Sequence, residues 1–124
     1  MLPPRTAAKP RPVALVYKIC SRALWEEAER AGAFAGAPVD RRDGYIHFST
    51  AAQVRETAAR HFAGEDDLVL VAVDAAALGT ALRWEPSRGG DLFPHLYGAL
   101  PLAAVQWVRP LPLGSGGHVF PDLS

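Results

Sequence analysis

Hydrophobic and polar positions along the chain change period several times, and each change marks an element. Residues 13–20, VALVYKIC, are a β-branched and aromatic run that predicts a first buried strand. A helical period follows. Ser21 stands at an N-cap position, Leu24, Ala28 and Ala31 share one face, and Gly32 is placed to end the helix. The segment AGAFAGAPVDRRDG, residues 31–44, combines Gly, Pro and Asp and predicts a loop. Strict alternation then sets in over DGYIHFST, residues 43–50. Ile46 and Phe48 fall on one side, and Tyr45, His47 and Ser49 on the other. That polar face either meets water or lines a site.

TAAQ, residues 50–53, has the spacing of a capping box and predicts a helix over 51–62, with Val54, Ala58 and Phe62 inward and Gly64 ending it. DLVLVAVD, residues 67–74, is almost continuously aliphatic and predicts a central strand buried on both faces. Asp74 can cap a short helical turn ending at Gly79. ALRWEP returns to alternation, with Leu82 and Trp84 opposed to Arg83 and Glu85. SRGGD predicts a loop, LFPHLYG a short strand that Pro94 holds at an edge, Pro101 a brief turn, and AVQWVRPL a last strand. Strands do not alternate with long crossover helices, so the pattern predicts an α+β domain with a largely antiparallel or split sheet.

Composition narrows this little. The 124 residues are most simply one domain over 13–113, with a flexible Pro-rich and basic leader at 1–12 and a loosely ordered glycine-rich tail at 114–124. Thirteen basic and thirteen acidic residues cancel, so charge indicates no nucleic-acid partner. No apolar run is long enough to span a membrane. The single cysteine, Cys20, excludes an internal disulfide and fits a reducing cytoplasm, where the protein is expected.

Candidate chemistry gathers at two places. His47 and Ser49 lie just before the capped helix, whose N-terminus offers free N–H groups to a phosphate or carboxylate. Phe93, His95 and Tyr97 repeat the same alternation, so the two short strands would place both imidazoles, Tyr97 and Ser49 in one pocket if they are neighbours. A strand with one wet face, and a structural histidine bonded to a carbonyl, are the plainer readings. Glu85 can orient an imidazole or accept a substrate hydroxyl, and Arg83 or Arg88 can bind phosphate. An exposed ion pair beside a core Trp84 is the plainer alternative there. His61 closes a helix, and His118 falls in the tail. No HExxH, paired CxxC, GxSxG, GxGxxG or P-loop pattern is present, and no metal is expected.

VYKI, ALWEEAERAG, DGYIHFST, DLVLVAVD, LRWEPS and FPHLYGALPLAAV, taken in this order, resemble the small bacterial domain-of-unknown-function family 952 over residues 15–113. The resemblance implies an ADP-ribosyltransferase-like fold, with two small, mostly antiparallel sheets and short helices around a nicotinamide-dinucleotide cleft. NAD is then the implied cofactor, and a nucleotide-like small molecule the implied partner. The strand YIHFS is similar to the histidine–x–histidine–leucine–serine strand of dinucleotide-dependent RNA phosphotransferases. On that likeness His47, Ser49 and His95 form the catalytic set, and Tyr45, Lys18, Trp84, Glu85 and Tyr97 the cofactor-binding set, with Tyr97 or Trp84 as the stacking face. Two departures stand out. Tyr45 occupies the place of the first histidine, and after His95 the only acidic residue is Asp122, where transferases of this fold carry a late-strand glutamate. A non-catalytic nucleotide-binding or metabolite-binding module is the alternative.

Overall fold

A computed structural model describes residues 14–123. The leader expected over residues 1–12 lies outside them. Ten strands and three α-helices are formed among the described residues, and every strand pairing is antiparallel. The expected α+β class with small antiparallel sheets and short helices is the one observed.

Strand β1 (Leu15–Ser21) pairs with β4 (Leu68–Asp74), and β4 with β8 (Val105–Leu111), giving a three-stranded sheet with β4 in the middle. The aliphatic run of β4 has the physical cause anticipated for it. Val69, Val71 and Val73 enter one apolar cluster, and Leu68, Leu70 and Ala72 the other. A second three-stranded sheet has the order β3 (Ile46–His47), β6 (Asp91–Leu96), β5 (Leu82–Ser87). Its apolar residues Ile46, Phe48, Leu82 and Leu96 join the cluster of Val69, Val71 and Val73, so the two sheets share one core. Strands β2 (Ala33–Phe34) and β7 (Leu100–Pro101) form a small pair beside that core.

Helix α1 (Arg22–Ala31) begins at Ser21, whose hydroxyl accepts from the Leu24 N–H at 3.1 Å, and ends at Gly32 in the left-handed region, as expected. Its buried face is Trp25 and Ala28; Ala31 is exposed. Helix α3 (Val54–His61) covers the opposite face of the first sheet through Val54 and Ala58, with Phe62 packed alongside. It starts later than the expected 51–62. Gln53 accepts from the Thr50 N–H at 3.0 Å, but residues 51–53 are a turn rather than a first helical turn.

Two other expectations need correcting. The supposed loop at 31–44 contains helix α2 (Pro38–Asp43), which opens with Pro38 at its first position and closes at Gly44 in the left-handed region. Pro38 is preset for a helix start, and the Asp40 carboxylate accepts from the Ala37 N–H at 2.7 Å, so both start signals were present. Strand β6 is also central, not an edge. Register pairs Ile46 with Leu96 and His47 with His95, which puts Phe48 opposite Pro94. The Phe48 N–H donates to the Pro94 carbonyl at 3.0 Å, and proline has no N–H to return. The proline therefore ends the short strand β3 at His47 and leaves β6 in the middle. Ser49 makes an isolated bridge to Tyr17 instead.

At the C-terminal end, β9 (Leu113–Gly114) and β10 (Gly117–His118) form a hairpin where a loose tail was expected. Beyond it the Tyr17 hydroxyl donates to the Leu123 carbonyl, and Phe120 and Leu123 pack on the second cluster. No helix among the described residues is long and apolar enough to cross a membrane.

Candidate functional site

A cavity of about 810 Å³ opens between α2, β1, β3, α3 and the β5–β6 turn. Tyr45, His47, Ser49, His95 and Lys18 line it, five of the eight residues assigned from the resemblance to catalysis or cofactor binding, and Arg88, named as a phosphate ligand, lines it too. His47 and His95 are directly opposite in the β3–β6 register, with ring centroids 5.6 Å apart. Their adjacency follows from antiparallel pairing, which brings side chains of opposed residues onto the same face.

His47 is held by two carboxylates. Its Nδ1 lies 2.6 Å from Asp40 Oδ1, and its Nε2 lies 3.0 Å from Asp43 Oδ2. Asp40 is the hub of the region. Besides His47 Nδ1, its carboxylate accepts from the backbone N–H groups of Ala37 and His47 and from Lys18 Nζ, at 2.9 Å. Lys18 and Asp40 are both buried, with side chains 5% and 1% exposed. Burial alone would raise the Asp40 carboxyl. The hydrogen bond from His47, the charge and hydrogen bond of Lys18 and the Ala37 N–H outweigh it and hold the group at about 2. Lys18 thus lines the cavity with its charge already partnered. A buried ion pair of this kind is tolerated because the carboxylate is saturated with donors, among them the Lys18 ammonium.

His95 is held from behind. Its Nδ1 lies 2.9 Å from Glu85 Oε1, and the Tyr97 hydroxyl donates to the same oxygen at 2.8 Å. Those two hydrogen bonds, His95 first, keep the Glu85 carboxyl below its ordinary range. The bond to Glu85 in turn raises the Tyr97 phenol. Glu85 therefore orients an imidazole, as its position allowed. Neither Glu85 nor Tyr97 lines the cavity. Trp84 belongs to the other face of β5, opposite Pro94, and is 47% exposed. It is neither a core tryptophan nor part of the cavity wall.

Tyr45 is the ring at the site. It stacks on His95 at 4.1 Å and 20°, and tilts against His47 at 4.6 Å and Tyr97 at 5.4 Å. Burial, followed by the charges of Asp43 and Glu85, raises its phenol. Tyr97 was expected to offer a stacking face, but its ring is occupied by Tyr45 and by the Arg83 guanidinium at 4.6 Å.

The helix N-terminus anticipated as an anion cradle does not reach the cavity. The turn at 51–53 intervenes, and α3 contributes its flank instead: Thr57, Arg60 and His61. Ser49 Oγ and Thr57 Oγ1 are 2.8 Å apart, and Arg88 donates Nη2 to Thr57 Oγ1 at 2.7 Å. Sequence reasoning missed Asp40, Asp43, Thr57 and Arg60. The Asp pair in VDRRD reads locally as part of a loop, because nothing local says that Lys18 and His47 lie against it. Among the described residues, no group of three or more His, Cys, Asp or Glu side chains is placed to hold a metal ion.

Comparison with known proteins agrees on the family. The family described as "Protein of unknown function (DUF952)" matches residues 19–108. The chain is similar to the crystal structure of protein CC0527 from Caulobacter crescentus. Identity is 49% and the TM-score 0.81, over 84% of this chain and 91% of that one. The solution structure of CC0527 gives 49% identity and a TM-score of 0.76, over 84% and 90%. No curated protein matches. The match to the family spans both histidine strands and the helices that frame them, and the chain belongs to the DUF952 family of proteins of unknown function.

Proposed function

We propose that the His47–His95 cavity binds a nucleotide-like small molecule and works as an ADP-ribosyltransferase-like cleft with NAD as its cofactor. The observation that carries this reading is the pairing of the two imidazoles on one wall, with Tyr45 beside them and cationic and hydroxyl side chains on the facing wall. The donor set fits a dinucleotide. Asp43 can accept from ribose hydroxyls, while arginines and the hydroxyls of Ser49 and Thr57 suit phosphate oxygens. Bound there, NAD would supply the ADP-ribosyl group. The chain's part is to orient it: Asp40 fixes the His47 ring and Glu85 fixes the His95 ring.

One observation favours a second reading, a module that binds without reacting. After His95 the only acidic side chain is Asp122, which does not line the cavity, so no late carboxylate stands ready to engage the ribose. Thermal-shift titration with NAD, ADP-ribose and AMP separates these possibilities. A ligand at 100 times its Kd stabilises by about 2.7 kcal/mol, which is a clear rise in Tm. The rise is expected for wild type and should be lost in His47→Ala. If none of the three raises Tm, the cavity reading is wrong. Binding of ADP-ribose with no consumption of NAD in a nicotinamide-release assay decides for the module.

A further inference from the structure

Cations line the cavity on both sides, but Lys18 and Arg42 are each paired with a carboxylate of α2, Asp40 and Asp43. Among the described residues Asp43 is the only carboxylate that lines the cavity, and it sits at the end of α2 with Arg42 and His47. The opposite part is formed by the flank of α3 and the β5–β6 turn, and carries Arg60, His61 and Arg88 with the hydroxyls of Ser49 and Thr57. Resting on the nucleotide reading above, we infer that this α3 wall is the phosphate subsite, so that the ligand lies with its phosphates on Arg60 and Arg88 and its sugar hydroxyls toward Asp43.

Arg88 is built into place. Its backbone has a φ of 34°, in the left-handed region where a non-glycine residue is strained, and Gly89 and Gly90 continue the turn at positive φ. The side chain is only 17% exposed; its guanidinium lies over the Phe93 ring at 4.6 Å and bonds to Thr57. A guanidinium already ordered and partly desolvated binds a phosphate with little further loss of freedom. Glu56 competes for the same cations. It takes Arg60 through Nε alone at 3.0 Å and meets Arg88 Nη1 at 3.4 Å, it is 56% exposed, and it does not line the cavity. The two terminal nitrogens of Arg60 have no protein partner among the described residues. The His61 ring makes no side-chain hydrogen bond among the described residues, and burial with the charges of Arg88, Arg60 and His47 works against its protonation. The C-terminus of α3 opposes an anion with about half an elementary charge, and Glu56 offsets one of the two charges of the arginines, so the wall keeps a positive balance.

Calorimetric titration of the full chain with ADP-ribose, inorganic pyrophosphate and adenosine tests the assignment. Wild type should bind ADP-ribose and pyrophosphate. Arg60→Gln and Arg88→Gln should each weaken both at least tenfold and leave adenosine unchanged. Arg22→Gln, which removes a cation outside the cavity, should change nothing. A circular dichroism melt checks that each variant is folded. ADP-ribose bound equally by wild type and both glutamine variants overturns the subsite and leaves the nucleotide reading standing. Equal weakening by Arg22→Gln also overturns it. Arginine-dependent pyrophosphate binding with no affinity for ADP-ribose upholds the subsite and removes the nucleotide reading. If neither pyrophosphate nor ADP-ribose binds, both are overturned.

Discussion

Asp40 has more structural consequences than any other single side chain here. Its carboxylate collects Lys18, His47 and two backbone N–H groups in a buried position, so its removal strands a buried ammonium. Asp40→Asn should therefore destabilise by about 3–5 kcal/mol in urea unfolding, well above an ordinary surface substitution. The same group gives a pH dependence. Its folded pKa of about 2 lies below the ordinary 3.8. Its contribution, about 2 kcal/mol, is fully present above roughly pH 5 and is lost as pH falls through about 2. Urea midpoints measured from pH 6 down to 2 should show this loss. Cys20 makes a contrasting case. Burial pushes its thiol up to about 11, with Lys18 lowering and Asp40 raising it further. At pH 8 the native protein should react with a thiol reagent only slowly, and full reaction should require denaturant.

At the level of elements, local signals worked where the element satisfies itself. The Ser21 cap and the Gly32 stop bound α1 because both act on the helix they adjoin. Ser21→Ala should cost about 1 kcal/mol in the same unfolding assay. Strand β6 shows the converse. Pro94 is compatible with a central position only because its missing N–H faces the point where β3 ends. Pro94→Ala would supply that donor, and amide exchange at position 94 should then show a protected N–H bonded to the Phe48 carbonyl. An exchanging amide there would count against the reading that the proline terminates the pairing. Helix α2 was hidden by composition: six residues opened by a proline and rich in Asp and Arg resemble a loop until Asp40 is seen to be buried.

For the whole molecule, the ordering of the C-terminal residues depends on the first sheet. Phe120 and Leu123 lie against the cluster of Tyr17, Leu70 and Leu111, the Leu123 carbonyl accepts from Tyr17, and Arg109 donates to the Asp122 carbonyl. Truncation before Val119 should lower stability by roughly 2–3 kcal/mol, the scale of one large apolar side chain, and should expose the Tyr17 ring to solvent quenching. Such long-range dependence is the kind of fact a linear pattern does not carry. By itself the sequence determined the strand and helix periods, the two-faced burial of β4, the first helix with both caps, and the matching His47 and His95 faces, because each follows from the spacing of neighbouring residues. Only the tertiary structure decided that those two faces are opposed in register. It also decided that Asp40 and Asp43 clamp His47, that Tyr45 rather than Trp84 is the ring at the site, and that α3 turns its flank rather than its N-terminus to the cavity. These are contacts between residues distant along the chain or separated by a turn, and their geometry is set by strand pairing and by the burial of charge, neither of which is encoded in local periodicity.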